Sequence, residues 1–212
     1  TSNQHCFWNQ VGSLQHELFL DDLWPIQDVA WSPDGGLVAF SRFQTDLVDH
    51  ANIWLADSTE TERRILTHDL GIQQHPAWSP DGQWLAYSGG QGFGTYEIYA
   101  IRIDGTERRQ LTRNTAHEVL PAWSPDGRRI AYSSDATGDY EIWVMDADGG
   151  HAAPLTRSPG LDTSPAWSPD GNRIAFATNR SGVVELWVMQ ADGSGQQMLE
   201  HSEGGVCDPA WK

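Results

Sequence analysis

The pentapeptide Trp-Ser-Pro-Asp-Gly begins at Trp31, Trp78, Trp123 and Trp167, at intervals of 47, 45 and 44 residues. A further 44 residues lead to Trp211, which follows Pro209-Ala210 as Trp78, Trp123 and Trp167 each follow Pro-Ala. Two other series keep step. One is Asn-Ile-Trp at 52–54, Glu-Ile-Tyr at 97–99, Glu-Ile-Trp at 141–143 and Glu-Leu-Trp at 185–187. The other is Leu66-Thr67, Leu111-Thr112, Leu155-Thr156 and Leu199-Glu200, with each Leu 12 residues after the aromatic. Three registers held in phase define a repeat array, in which each unit buries its apolar faces against its neighbours.

Each unit reads as four short strands. The first ends at the motif Trp. Ser-Pro-Asp-Gly then turns the chain: Pro presets φ, Asp bonds its own backbone, and Gly accepts the left-handed conformation. A short apolar strand follows, such as Ile130-Ala-Tyr132, then a loop and a third strand such as 141–145. Asp146-Ala-Asp-Gly149 turns again, and the last strand is expected to end at Leu155-Thr156. The runs are near-continuously apolar, as in strands covered on both faces. Four such strands per repeat predict an all-β chain, a β-propeller of four-stranded antiparallel blades.

The blades are expected at about 26–67, 73–112, 118–156 and 162–200 of one domain spanning 1–212. A fifth begins at 206–212 but stops after its innermost strand, which would leave an open sheet edge. Residues 4–20 are the expected partner. Cys6-Phe-Trp8 resembles the Glu-Ile-Trp element, and Phe19 precedes Trp31 by 12 residues, as Leu66 precedes Trp78. The prediction is five blades, the last shared by both termini.

The pattern Pro-Ala-Trp-Ser-Pro-Asp-Gly, Ile-Ala-Tyr-Ser, Glu-Ile-Trp-Val-Met-Asp-Ala-Asp-Gly and Leu-Thr resembles the WD40-like repeat of TolB-type β-propellers. The resemblance implies the propeller fold over about 26–212. For function it implies a range: similar blades occur in periplasmic TolB, in sensor domains of membrane-anchored regulators, and in propellers of some serine peptidases and polysaccharide lyases.

Composition narrows the classes. With 13 Lys and Arg against 29 Asp and Glu, the net charge of −16 lacks the basic footprint of a nucleic-acid binder. No apolar run is long enough to span a membrane. Residues 1–5 lack the basic and apolar regions of a secretory leader. Eleven Trp argue against disorder, and their repetition at equivalent positions argues for packing between blades. Trp24 and Trp84 fall outside the registers and are candidates for exposure.

A site is expected where identity varies while the scaffold repeats. Five residues before each motif Trp stand Ile26, Gln73, Glu118, Asp162 and Val206; three before stand Asp28, His75, Leu120, Ser164 and Asp208. Asp28, His75, His117, Glu118, Asp162 and Asp208 therefore form a candidate ring at the central channel. It suits a divalent cation, with Ca²⁺ foremost, or a cationic peptide segment, against the alternative of a wet channel with solvated side chains. Asp135, Asp139, Asp146 and Asp148 cluster in one blade, but their spacing departs from a calcium loop and fits turns. Gly90-Gln-Gly-Phe-Gly94 reads as a hairpin loop with no helix to cradle a phosphate.

Cys6 and Cys207 are the only cysteines and lie in the two segments that must meet if the ring closes. A Cys6–Cys207 disulfide is expected, against the alternative of two buried thiols. Its loop would contribute about 5 kcal/mol by chain entropy, and it would place the protein in the periplasm or outside the cell. Gly-x-Ser-x-Gly, His-Glu-x-x-His and Cys-x-x-Cys are missing from the sequence. The leading expectation is a non-catalytic extracytoplasmic module binding a protein, peptide or glycan at the channel mouth. The alternatives are a metal-dependent, lyase-like enzyme using His75 and His117, an accessory propeller of a hydrolase, and a structural subunit of a surface assembly or an engineered propeller.

Overall fold

The computed structural model describes residues 26–44, 47–59, 62–90, 94–201, 209 and 211. These residues form sixteen strands and no helix, so none of them forms a helix long and apolar enough to cross a membrane. The chain is all-β.

The first sheet unit comprises β1 (Ile26–Trp31), β2 (Leu37–Gln44), β3 (Leu47–Asp57) and β4 (Arg63–Ile65). The second comprises β5 (Ile72–Trp78), β6 (Trp84–Gly90), β7 (Glu97–Arg102) and β8 (Arg109–Gln110). The third has β9 (Glu118–Trp123), β10 (Arg129–Ser134), β11 (Glu141–Asp146) and β12 (Ala153–Pro154). The fourth has β13 (Asp162–Trp167), β14 (Arg173–Thr178), β15 (Glu185–Gln190) and β16 (Gln197–His201). Within each unit the strands pair antiparallel in chain order. One edge of each unit is its first strand. These edges lie against one another in succession, β1 on β5, β5 on β9, and β9 on β13.

The motif turn has one construction throughout. In the first unit Ser32 Oγ donates to Asp34 Oδ1 at 2.7 Å and accepts Leu37 N–H at 2.8 Å, while Gly35, at φ +71°, donates to the Ser32 carbonyl at 2.9 Å. The Ser79–Asp81, Ser124–Asp126 and Ser168–Asp170 turns repeat it. The motif aspartates are thus turn braces.

The core lies between units. Ile53, Leu55 and Leu66 pack on Leu85, Tyr87 and Ile101 of the next unit; Ile98 and Leu111 pack on Ile130, Tyr132 and Met145. Ala131 and Ile142 likewise meet Ile174, Phe176 and Met189. Indoles lock these contacts. Trp78 Nε1 donates to the Ala30 carbonyl at 3.0 Å, Trp167 to Ala122 at 3.2 Å and Trp211 to Ala166 at 3.0 Å. Each bond reaches back one repeat, and the Trp211 bond continues the series past the fourth unit. Trp31 is 49% exposed, and the closing blade expected beside it falls outside the described residues.

The fourth strands correct the sequence reading. They end one residue before the Leu-Thr pair at Ile65, Gln110 and Pro154. The reason is the Thr side chain, whose Oγ1 accepts the N–H of Ile53, Ile98 or Ile142 in place of a backbone carbonyl. Glu200 stands where the fourth unit would have Thr, and there the ladder runs on to pair Glu185 with His201. Leu199 is 51% exposed, whereas Leu66, which packs on the next unit, is 3%.

Strand direction places the loops between second and third strands, and those between units, at one end of the sheets. The motif turns and the turns before the fourth strands lie at the other. Cys6, Cys207 and the proposed partner strand at 4–20 fall outside the described residues.

Candidate functional site

Every first strand carries the same distortion. Asp28, His75, Leu120 and Ser164 have φ of 51°, 54°, 56° and 55°, in the left-handed region that non-glycine residues seldom occupy. All four sit three residues before the motif Trp, where the pairing with the second strand shifts register. The combination is a bulge that turns one side chain per unit away from the pleat at the inner edge. Each of these residues is half-buried.

The bulge is fixed by polar contacts within and between units. Asp28 Oδ2 accepts Ser41 Oγ at 2.9 Å and His75 N–H at 3.3 Å. His75 Nδ1 lies 3.2 Å from Ser88 Oγ, and Ser164 N–H donates to Ser133 Oγ at 3.2 Å. Asp28 and His75 of the expected ring are therefore direct neighbours.

Glu118 and Asp162 are placed differently from the solvated wall expected of them. They are 1% and 0% exposed. Each opens its first strand, and its N–H donates to the carbonyl of Tyr96 or Tyr140 in the preceding unit, at 2.8 and 2.7 Å. That bond draws the side chain into the junction between sheets. There it meets an acid that the sequence reading had assigned only to the scaffold: Glu97 beside Glu118, and Glu141 beside Asp162. Asn52 and Gln73, both buried, hold the corresponding positions of the first junction.

The two acidic junctions are furnished unequally. Asp162 Oδ2 accepts Arg180 Nη2 at 2.7 Å and Ser158 Oγ at 3.1 Å. Glu141 accepts Thr156 Oγ1 at 2.5 Å and Ser158 N–H at 2.9 Å, with the Asp162 carboxyl beside it. Burial, with Asp162 adding to it, holds the Glu141 carboxyl above its ordinary range. Glu118 Oε1 accepts Asn114 Nδ2 at 2.6 Å, but Glu118 Oε2 and Glu97 Oε2 are buried without a hydrogen-bond partner, as is Asp162 Oδ1 at the other junction. Burial raises Glu118 despite the Asn114 bond.

His117 stands at the loop end of the second junction. Its N–H donates to Asp135 Oδ1 at 2.7 Å, and its ring lies 6.0 Å from that of Tyr96. It is not brought against His75. Among the described residues no three His, Cys, Asp or Glu side chains come together to hold a metal ion. Asp208 lies outside the described residues.

The TolB beta propeller domain model matches residues 16–156 and 107–212. The chain belongs to the TolB β-propeller family. A putative TolB from Agrobacterium tumefaciens is 31% identical, with a TM-score of 0.74 over 81% of this chain and 63% of that one. TolB from Acinetobacter baumannii is 24% identical, with a TM-score of 0.72 over 83% of this chain and 43% of that one. A puromycin-hydrolyzing peptidase from Mycobacterium tuberculosis, 19% identical with a TM-score of 0.67, covers 84% of this chain and 31% of its own. That likeness is one of fold alone. This chain spans under two thirds of each of these structures. Comparison with curated protein sequences gave no match.

Proposed function

We propose that this TolB-family chain is a non-catalytic, extracytoplasmic interaction module that binds a protein or peptide segment at the channel end of its inner strands. One observation carries the reading. Four successive inner strands present a left-handed residue at the same register, on the same bulge, while its identity changes from Asp28 to His75, Leu120 and Ser164. Strained backbone clusters at ligand clamps and binding sites, and here it recurs where the side chains differ. The TolB structures it resembles support an interaction role and a periplasmic setting.

The test uses the immobilised chain and a bacterial periplasmic extract, with retained proteins identified by mass spectrometry. A partner held by the parent chain is expected to be lost from the Asp28→Asn, His75→Ala double variant and kept by Met198→Ser on the exposed outer strand. Equal retention by the double variant, with an unchanged melting curve, overturns the reading.

A further inference from the structure

At the motif-turn end of the inter-unit slots, an arginine reaches across to the following unit in all but one case. Between the first two units the Arg64 guanidinium donates to the Ile103 carbonyl. Between the third and fourth, Arg129 lies 4.6 Å over the Trp167 ring, and beyond the fourth Arg173 lies 5.2 Å over Trp211. The slot between the second and third units is the exception. Trp84 occupies the position that Arg129 and Arg173 hold in their units. Arg109, the counterpart of Arg64, is drawn back over Trp84 at 4.6 Å and paired with Glu107 at 2.7 Å, and Arg102 lies 5.6 Å over the same ring, so both guanidinia stay on their own unit.

What remains is a cleft of about 370 Å³, walled by Trp84 and Trp123 and rimmed by Asp81, Asp126 and Asp148. Each of these aspartates spends Oδ1 on its own turn, accepting Gln83, Arg128 or Gly150 N–H at 3.0, 3.1 and 2.9 Å. Their Oδ2 atoms accept no hydrogen bond among the described residues. Trp123 Nε1, unlike the indoles of Trp78, Trp167 and Trp211, is buried without an acceptor. Arg109 is the one cation lining the cleft, against three carboxylates.

We propose that this cleft receives an arginine side chain from a partner protein, which supplies over Trp123 the stack that the chain makes for itself over Trp167 and Trp211. A guanidinium stacks flat on indole and forks onto carboxylates, a planar bidentate geometry that a lysine ammonium lacks. The site lies at the end of the sheets opposite Asp28 and His75, so it stands or falls independently of the channel-end reading.

The experiment is an NMR titration of the ¹⁵N-labelled chain with the peptide acetyl-Gly-Arg-Gly-amide, read at the indole N–H signals of Trp84 and Trp123. A saturable shift of both is expected at peptide concentrations up to about 10 mM, the range for one partly exposed cation–π contact with ion pairing. The citrulline peptide, of the same shape without the charge, is expected to leave both signals in place. Trp84→Arg installs the residue that the next two units carry there and is expected to abolish the response at Trp123. Asp148→Asn is expected to weaken binding about fivefold without changing the melting temperature. No saturable shift with the arginine peptide, equal binding of the citrulline peptide, or an unchanged response in folded Trp84→Arg would each overturn the proposal. A shift produced equally by methyl glucoside would do the same and reassign the cleft to a sugar.

Discussion

Trp78 donates its indole N–H to the carbonyl of Ala30 at 3.0 Å, bridging 48 residues of chain and the first junction between sheets. The equivalent indole of Trp123, one repeat later, is buried with no acceptor. Identical motif residues thus make unequal contributions, and substitution separates them.

Trp78→Phe removes the bond, at a cost of about 1 kcal/mol beyond the smaller ring. Trp123→Phe removes a donor that is unpaired and is expected to cost less. Urea denaturation of the two variants checks the ranking; equal losses would contradict it.

Glu118 is raised by burial, so the folded state holds its proton more tightly than the unfolded chain does. Its favourable contribution is full below the ordinary value of 4.5 and is lost as pH rises through the folded pKa. Glu118→Gln mimics the protonated form. The variant is expected to melt above the parent at pH 7 and alongside it at pH 4, as calorimetry at both pH values would measure.

Asp170 runs the other way. Its bond from Ser168 Oγ, with further bonds from Asn172, lowers the carboxyl to about 2. Stability from this turn is present above the ordinary value of 3.8 and lost as pH falls toward that lower pKa. NMR titration of the Asp170 carboxyl carbon is expected to give a midpoint near 2, and Ser168→Ala to move it back toward 3.8.

Gly193 has φ +86°, and a Cβ there would stand 2.7 Å from the Leu155 carbonyl oxygen of its neighbouring unit. Gly193→Ala combines a left-handed penalty of about 1–2 kcal/mol with that clash. A fall in melting temperature larger than that of Gly182→Ala, where φ is +95° but the space is open, checks the role of close approach.

The repeating strands and turns were legible because their signals are local: Pro, Asp and Gly at fixed offsets act within one turn. The ends of the fourth strands were misjudged because a Thr hydroxyl replaced a ladder acceptor, an exchange that strand patterning does not register. Glu118 and Asp162 were identified as special by position. Whether a strand's first side chain meets water or turns into a junction depends on a backbone bond from the neighbouring unit. The Trp123 cleft was invisible for a related reason. Trp84 fell outside the periodic series, and its meaning emerged only against Arg129 and Arg173 in three dimensions.

The bonds Ala51 N–H to Gly71, Glu118 N–H to Tyr96 and Asp162 N–H to Tyr140 stitch each sheet to the next by backbone, all at the loop end. At the motif-turn end the described contacts between sheets run through side chains such as Trp78, Arg64 and Gln196. Successive sheets are therefore bound like pages at a spine. Separation of neighbouring sheets is expected to begin at the margin held by side chains rather than at the spine held by backbone.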